Sequence, residues 1–361
     1  MTLVSEVRVG VADPGKLIDA ICEHFVEHDA KITRTAKGGE AKFSIGRTVM
    51  KIDGRELVFR VEAEDMGYID LMRAGVAYHL EEFVGPGTVP NLVWVGDGCE
   101  TRTPAYFREL KVVGARTITP HMRRVTLSGE RLDRFNLGGL HIRLLIPPVG
   151  RAPVWPGFGV NGILIWPPGE DALTLRTYTI RGIDVAAGTM DFDVVLHGDD
   201  TAGSRWASHC QPGDIVGILG PGGGEVPDAD WVLLAGDETA LPAIARILED
   251  MPASTKGRAF IEVADAAEEQ TLVNNTGIEV TWLHRDGAEP GTTHLLEAAV
   301  RTVEWPTEGR NFAWTASEFS AFKSLRRYFR NELELDKTQH YCVAYWRRGT
   351  TEDDFAGKPT E

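Results

Sequence analysis

Arg176-Thr177-Tyr178-Thr179-Ile180-Arg181 is the stretch that decides how the chain is organised. Polar and apolar residues alternate in it, with Tyr and Thr in the run, which is the pattern of a half-buried strand. Successive side chains of a strand point to opposite faces. Arg176, Tyr178 and Ile180 therefore share one face, and Thr177, Thr179 and Arg181 the other. This set of groups suits a flavin nucleotide. Arg176 offers a planar fork of donors to a phosphate. Tyr178 offers a ring to pack on an isoalloxazine or a ribose. Thr179 offers a hydroxyl or a backbone N–H to the flavin edge near N5. An Arg-x-Tyr-Thr run also arises by chance, so the reading depends on what surrounds it.

Downstream, Asp191-Phe192-Asp193-Val194-Val195-Leu196-His197 reads as a following strand. Ala202-Gly203-Ser204-Arg205-Trp206-Ala207 then opens a short helix from a small-residue turn. Free N–H groups at a helix start bind phosphate, and Gly203 and Ser204 let a pyrophosphate approach the backbone. Pro212-Gly213-Asp214 leads through a short apolar strand to Gly220-Pro221-Gly222-Gly223-Gly224.

This ordered string extends upstream to Thr119-Pro120-His121-Met122-Arg123-Arg124-Val125-Thr126-Leu127. Downstream it takes in Ala235-Gly236-Asp237-Glu238-Thr239-Ala240-Leu241-Pro242-Ala243 and Tyr345-Trp346-Arg347-Arg348-Gly349. From residue 101 to residue 352 the chain resembles the siderophore-interacting proteins, FAD-dependent ferric-siderophore reductases of the ferredoxin–NADP reductase superfamily. The resemblance implies FAD as cofactor, NAD(P)H as electron donor and a ferric siderophore or other ferric chelate as substrate. It implies an FAD site built from Arg176, Thr177, Tyr178, Thr179, His197, Ala202, Gly203, Ser204 and Trp206. It implies a nicotinamide cleft around Asp237, Glu238, Thr239, Ala240 and Glu318. Hydride would pass from the nicotinamide to the flavin, and single electrons from the flavin to Fe(III), so no general acid, base or nucleophile is nominated as catalytic. The chain departs from the family at two places. Thr201-Ala202-Gly203-Ser204 stands where Gly-Pro-Ala-Ser is usual, and Ala316-Ser317-Glu318 where Ala-Gly-Glu is common.

The composition sets outer bounds on these readings. The 361 residues allow two or three domains. A hydrophobic share of 43% and a charged share of 25% are ordinary for a globular chain. No apolar run approaches a membrane span. The start, Met1-Thr2-Leu3-Val4-Ser5-Glu6, lacks the regions of a signal peptide, so a cytoplasmic location is expected. Cys22, Cys99, Cys210 and Cys342 are scattered with no Cys-x-x-Cys pair, which argues against zinc ribbons, iron–sulfur clusters and disulfide scaffolds. A net charge of −15 disfavours nucleic acid and acidic membranes, and it requires a local basic patch for any anionic chelate.

Three domains and a tail are expected. Residues 1–98 read as a small α+β domain, residues 101–228 as an antiparallel Greek-key barrel that binds FAD, and residues 229–352 as a doubly wound α/β domain of the nicotinamide-nucleotide-binding kind, with a flexible tail over 353–361. In the first domain, Pro14 with Leu17, Ile18, Ile21 and Phe25 predicts a helix over 14–28, and Asp65 caps a second. Its resemblance to a domain of unknown function implies no activity. Within the barrel region, Pro147, Pro148, Pro153, Pro156, Pro167 and Pro168 mark an irregular excursion over the flavin. Beyond Trp231, short apolar runs alternate with helices, without a Gly-x-Gly-x-x-Gly. The turn at Asp237 and Glu238 either orients ligand groups or simply opens the next helix.

Two further clusters carry charge or imidazole. Arg347 and Arg348, at the end of the last strand, are the first candidates for a substrate patch, with Lys323 and Arg327 on a basic helix as weaker ones. His24 and His28 stand one helical turn apart, but no third ligand is evident, so no metal site is expected. A non-enzymatic flavin- or siderophore-binding module, with the first domain as a partner surface, is the alternative reading. NAD(P)H oxidation with a ferric chelate separates the two.

Overall fold

The computed structural model describes residues 1–27, 30–84, 92–100, 103–197 and 201–351. His28, the turn at Gly85-Pro86-Gly87, the boundary at Thr101 and the tail over 353–361 lie outside the described residues. The chain divides into two compact units, residues 1–107 with 148–173, and residues 108–147 with 174–361.

The first unit runs β1 (Leu3–Gly10), α1 (Pro14–Glu27), β2 (Lys31–Thr35), β3 (Gly38–Phe43), β4 (Gly46–Asp53), β5 (Glu56–Ala63), α2 (Met66–Val84) and β6 (Val95–Gly96). Its six strands form one sheet in the order β2-β3-β4-β5-β1-β6. In β1 the alternation sends Ser5, Val7 and Val9 inward, where β1 pairs antiparallel with β5 and with Leu57, Phe59 and Val61 of that strand's buried set. Ile18, Ile21 and Phe25 of α1 and Ile69, Met72, Val76 and Leu80 of α2 close the core. Asp65 caps α2 as expected, accepting from the Gly67 N–H at 2.8 Å.

The proline-marked segment over residues 148–173 belongs to this first unit. It contains the short hairpin of β10 (Gly157–Phe158) and β11 (Leu164–Ile165). Trp94 Nε1 donates to the Asn161 carbonyl at 3.1 Å. Arg73, buried on α2, places its guanidinium 5.7 Å from the Trp94 ring and 5.7 Å from the Phe158 ring. Gly162 sits so close to the Trp94 indole that a Cβ would lie 2.6 Å from Nε1.

The second unit combines a barrel and a parallel sheet. β7 (Phe107–Thr119), β8 (Met122–Ser128), β9 (His141–Ile146), β12 (Thr174–Asp184), β13 (Thr189–Val195) and β14 (Ile215–Gly222) close in the order β12-β13-β8-β7-β14-β9. Ile142, Leu144, Ile180, Phe192, Val194, Val216 and Ile218 fill the interior. α3 (Ala202–His209) lies between β13 and β14. The α/β part follows as β15 (Trp231–Asp237), α4 (Leu241–Asp250), β16 (Lys256–Val263), β17 (Gly277–His284), α5 (Leu295–Arg301), β18 (Asn311–Glu318), α6 (Phe319–Arg327) and β19 (His340–Trp346). Its five strands, all parallel, lie in the order β17-β16-β15-β18-β19. Buried on both faces, β15 reads as the unbroken apolar run that such a strand requires. Barrel and sheet are pinned by a bidentate pair from Arg181 to Glu249, at 3.0 and 2.7 Å, and by the Glu268 carboxylate, which accepts from the Thr119 hydroxyl and the His121 N–H.

Candidate functional site

The residues of β12 arrange themselves as strand alternation requires. Arg176 and Ile180 are buried, and Tyr178 packs against the barrel core. The Tyr178 ring stacks on Phe192 at 5.0 Å between centroids, and Phe192 stacks in turn on Trp206 of α3 at 6.1 Å. Arg176 Nη1 donates to the Leu175 carbonyl at 2.6 Å. Thr179 is buried opposite His141 of β9, while Thr177 is exposed opposite Arg143.

The start of α3 meets this strand directly. Thr201 caps the helix, its hydroxyl accepting from the Ser204 N–H. Ala202 and Gly203 form the first turn, and Ser204 Oγ accepts from the His197 N–H at 3.1 Å, tying the end of β13 to the helix. A Cβ at Gly203 would lie 2.4 Å from the Tyr178 hydroxyl oxygen and 3.5 Å from Arg176 Cγ. Only a residue without a side chain lets the strand and the helix N-terminus approach this closely. An arginine side chain, a tyrosine hydroxyl and the first turn of a helix thus converge. This donor set fits the pyrophosphate of a dinucleotide such as FAD.

At the carboxyl ends of the parallel strands, the acidic turn is tied into the protein. Asp237, at the end of β15, is buried and accepts from the Thr239 N–H at 3.0 Å, the Trp346 indole at 2.8 Å and the Glu318 N–H at 3.0 Å, and also from the Thr239 hydroxyl. Burial and the neighbouring Glu238 push its carboxyl up to about 7, against the pull of those hydrogen bonds. Glu238 is held by Arg285 through two hydrogen bonds of 2.7 and 2.8 Å. Ala240 is buried at the start of α4. Glu318 caps α6 through Ser320 and accepts from the Arg348 N–H at 3.2 Å. Trp346 also lies near His197 of the barrel, at 6.5 Å between ring centroids, so one member of each group of candidate residues meets the other.

The basic candidates divide. Arg347 lies over the Phe319 ring at 4.7 Å, and Lys323 Nζ over the same ring at 5.7 Å, so both cations converge where α6 begins. Arg348 is exposed beside them, joined through its backbone to Glu318. Arg327 is exposed a turn beyond Lys323 and takes no part in the Phe319 cluster.

One pair was invisible in the sequence. His141 Nε2 lies 2.7 Å from the Tyr345 hydroxyl, a contact 204 positions long that joins the barrel to β19. Burial, with Arg246 adding to it, lowers the His141 imidazole to about 4, and burial raises the Tyr345 phenol well above its usual value. Gly223 admits this histidine, since a Cβ there would lie 2.4 Å from its Nδ1. The glycine run was legible in the sequence, but its partner was not.

Three family models match the chain. Residues 111–225 match the siderophore-interacting FAD-binding domain and residues 229–349 the siderophore-interacting protein. Residues 6–95 match a family described as an uncharacterized protein conserved in bacteria (DUF2218). The ferric vibriobactin reductase ViuB of Vibrio cholerae is 32% identical over 257 residues, covering 69% of this chain and 93% of that protein. The NADPH-dependent ferric-chelate reductase of Escherichia coli is 30% identical over 252 residues, covering 68% of this chain and 94% of that protein. Among solved structures, a siderophore utilization protein from T. fusca superposes with a TM-score of 0.57 at 39% identity, covering 68% of this chain and 94% of its own. The barrel, the parallel sheet and the motifs that link them carry these matches, and the chain belongs to the siderophore-interacting protein family.

Proposed function

We propose that this chain is a flavin-dependent reductase of ferric siderophores, with NAD(P)H as its electron donor and Fe(II) as the released product. The observation that carries the reading is the approach of Gly203 to Tyr178 and Arg176 at the start of α3. There an arginine side chain and the first turn of a helix come together, a combination that suits a pyrophosphate. Bound FAD supplies the coupling of two-electron donors to one-electron acceptors. The protein's own task is to hold and orient. Arg176 and the Thr201–Ser204 turn take the phosphates, Tyr178, fixed by Phe192, presents its ring, and Thr179, fixed in the β12–β9 ladder, offers its hydroxyl or its backbone N–H to the flavin edge. His197, Ala202 and Trp206 shape the same wall, and Thr177 is the exposed member of the motif.

The acidic turn fits a nicotinamide nucleotide better than its formal charge suggests. Arg285 neutralises Glu238, and the Asp237 carboxylate is occupied by four donors of the protein itself. A ligand approaching Thr239 and Ala240 therefore meets a turn whose negative charge is already compensated. A relative that is an NADPH-dependent ferric-chelate reductase supports NADPH as one donor to try. Arg347, Lys323 and Arg348 provide the basic patch for an anionic chelate on a chain of net charge −15.

Fe(II) leaves because hard oxygen donors hold it less strongly than Fe(III). No helix among the described residues is long and apolar enough to cross a membrane. The test is visible absorption of the purified protein after FAD addition, followed by NADH or NADPH oxidation with a ferric siderophore and a ferrozine-type trap for Fe(II). A protein that binds no FAD, or that binds it and passes no electrons from either donor to ferric chelates, refutes the proposal.

A further inference from the structure

Two helices of the first unit bring together three side chains that the reductase reading does not use. His24 stands on α1, and His79 and Glu82 stand three residues apart on α2, which puts them on one helix face. One ring nitrogen of each histidine and one carboxylate oxygen all lie within 4.8 Å of one another. His79 Nδ1 is 3.3 Å from Glu82 Oε2, and the two imidazole centroids are 4.7 Å apart at 69°. His79 is buried, His24 half-buried and Glu82 exposed. Phe25 flanks His79 at 5.3 Å, and Phe83 flanks His24 at 5.7 Å.

Two imidazoles and one carboxylate are a recognised donor set. Imidazole selects first-row transition ions over magnesium and calcium, and two histidines with one carboxylate leave positions open, as in non-haem Fe(II) sites. Bond lengths of about 2.0–2.2 Å to such an ion draw the ligand atoms closer than the present spacing. The exposed Glu82 and the half-buried His24 can make that adjustment by side-chain rotation. The flanking rings limit how far the imidazoles can turn away, so part of the ordering of the site is already built into the helix packing.

We infer that α1 and α2 form a binding site for a divalent first-row transition ion, with His24, His79 and Glu82 as ligands and water completing the shell. Its physiological occupant is Fe(II), an assignment that rests on the reductase reading, because that reaction releases Fe(II) from the same chain. In the sequence, His24 pairs by spacing with His28, no third ligand is evident, and no metal site is expected. The helix pairing supplies two ligands from α2, 55 and 58 positions away from His24.

The experiment uses the full-length protein with FAD added. Equilibrium dialysis against Co(II), and against Fe(II) under anaerobic conditions, is followed by metal analysis. One tightly held equivalent of each ion is expected, together with a loss of affinity of roughly tenfold or more in His24→Ala and in Glu82→Gln. FAD content and the circular dichroism spectrum should be unchanged in both variants, since neither side chain is in the core. Absence of binding, or equal binding in wild type and both variants, overturns the site. Ferric-chelate reduction is measured on the same preparations. A protein that holds Co(II) through these residues but reduces no chelate overturns Fe(II) as the occupant while the ion site stands.

Discussion

Replacing Gly203 by alanine would set a methyl carbon 2.4 Å from the Tyr178 hydroxyl oxygen, about 1 Å inside ordinary contact. The tyrosine cannot simply swing aside, because its ring stacks on Phe192 and Phe192 on Trp206. Overpacking of this kind costs ~1–3 kcal/mol, and disturbing an aromatic pair adds ~0.5–1.5 kcal/mol. Against this, alanine in place of glycine favours the helix by up to ~1 kcal/mol. The net expectation is a loss of ~2 kcal/mol when the hydroxyl is present, within a span of ~0.5–4.5 kcal/mol. Tyr178→Phe removes the atom that the methyl group meets, so in that background Gly203→Ala should be neutral or stabilising. The four proteins form a double-mutant cycle with an expected coupling of ~2 kcal/mol, read from urea midpoints of the apo proteins. FAD affinity, read by flavin fluorescence, should fall in Gly203→Ala and partly recover in the double variant. A coupling near zero would show that Gly203 is not there to admit Tyr178, and the account of the phosphate turn would fail with it.

Three other outcomes are expected. Arg347→Glu with Lys323→Glu should raise the KM for an anionic ferric siderophore several-fold while FAD content and reduction of a cationic ferric chelate change little; equal losses on both would assign these cations to folding or to the electron donor. Acid titration should expose two opposed groups. His141 is held at about 4 against 6.5 unfolded, so its contribution is complete above 6.5 and is lost as pH falls toward 4, whereas Asp237, raised from 3.8 to about 7, contributes most below 3.8 and loses that contribution as pH rises toward 7. Asp237→Asn should therefore leave stability rising with pH across this window and His141→Gln should leave it falling, and urea midpoints that keep the wild-type slope in both would refute the assignment. A chain beginning at Thr101 should still bind FAD, but its Phe158, only 3% exposed in the whole protein, loses its cover at a cost of ~2 kcal/mol. Trypsin should then cut at Arg151, and a segment that stays protected would show that it folds without residues 1–98.

What the sequence disclosed was what neighbours along the chain determine. Alternation in Arg176–Arg181, the unbroken apolar run of β15, the Asp65 cap and the 3.6-residue spacing of Ile18, Ile21 and Phe25 are local patterns, and each appears in the fold where it was read. The β1 strand went unread, and so did α5, a short helix whose few buried residues give little periodicity. Long-range partners left no local trace. Nothing near His141 marks Tyr345, nothing near Glu238 marks Arg285, and nothing near Thr119 marks Glu268. The acidic turn shows the cost of this most clearly. From the sequence it could either orient ligand groups or open the next helix, and the groups that occupy it come from the residue after β17, from β18 and from β19, which sequence proximity could not connect to it.

The chain passes from one unit to the other three times, after residues 107, 147 and 173. A backbone cut at the first of these passages would therefore sever the covalent link without freeing the N-terminal fragment. Trp94 would still hold Asn161, and Arg73 would still lie between Trp94 and Phe158, so the fragment should co-elute with the remainder until denaturant separates them. The two pieces, expressed separately, are then expected to reassemble as complementing halves. A gene fusion of two independent modules would simply fall apart at the scar.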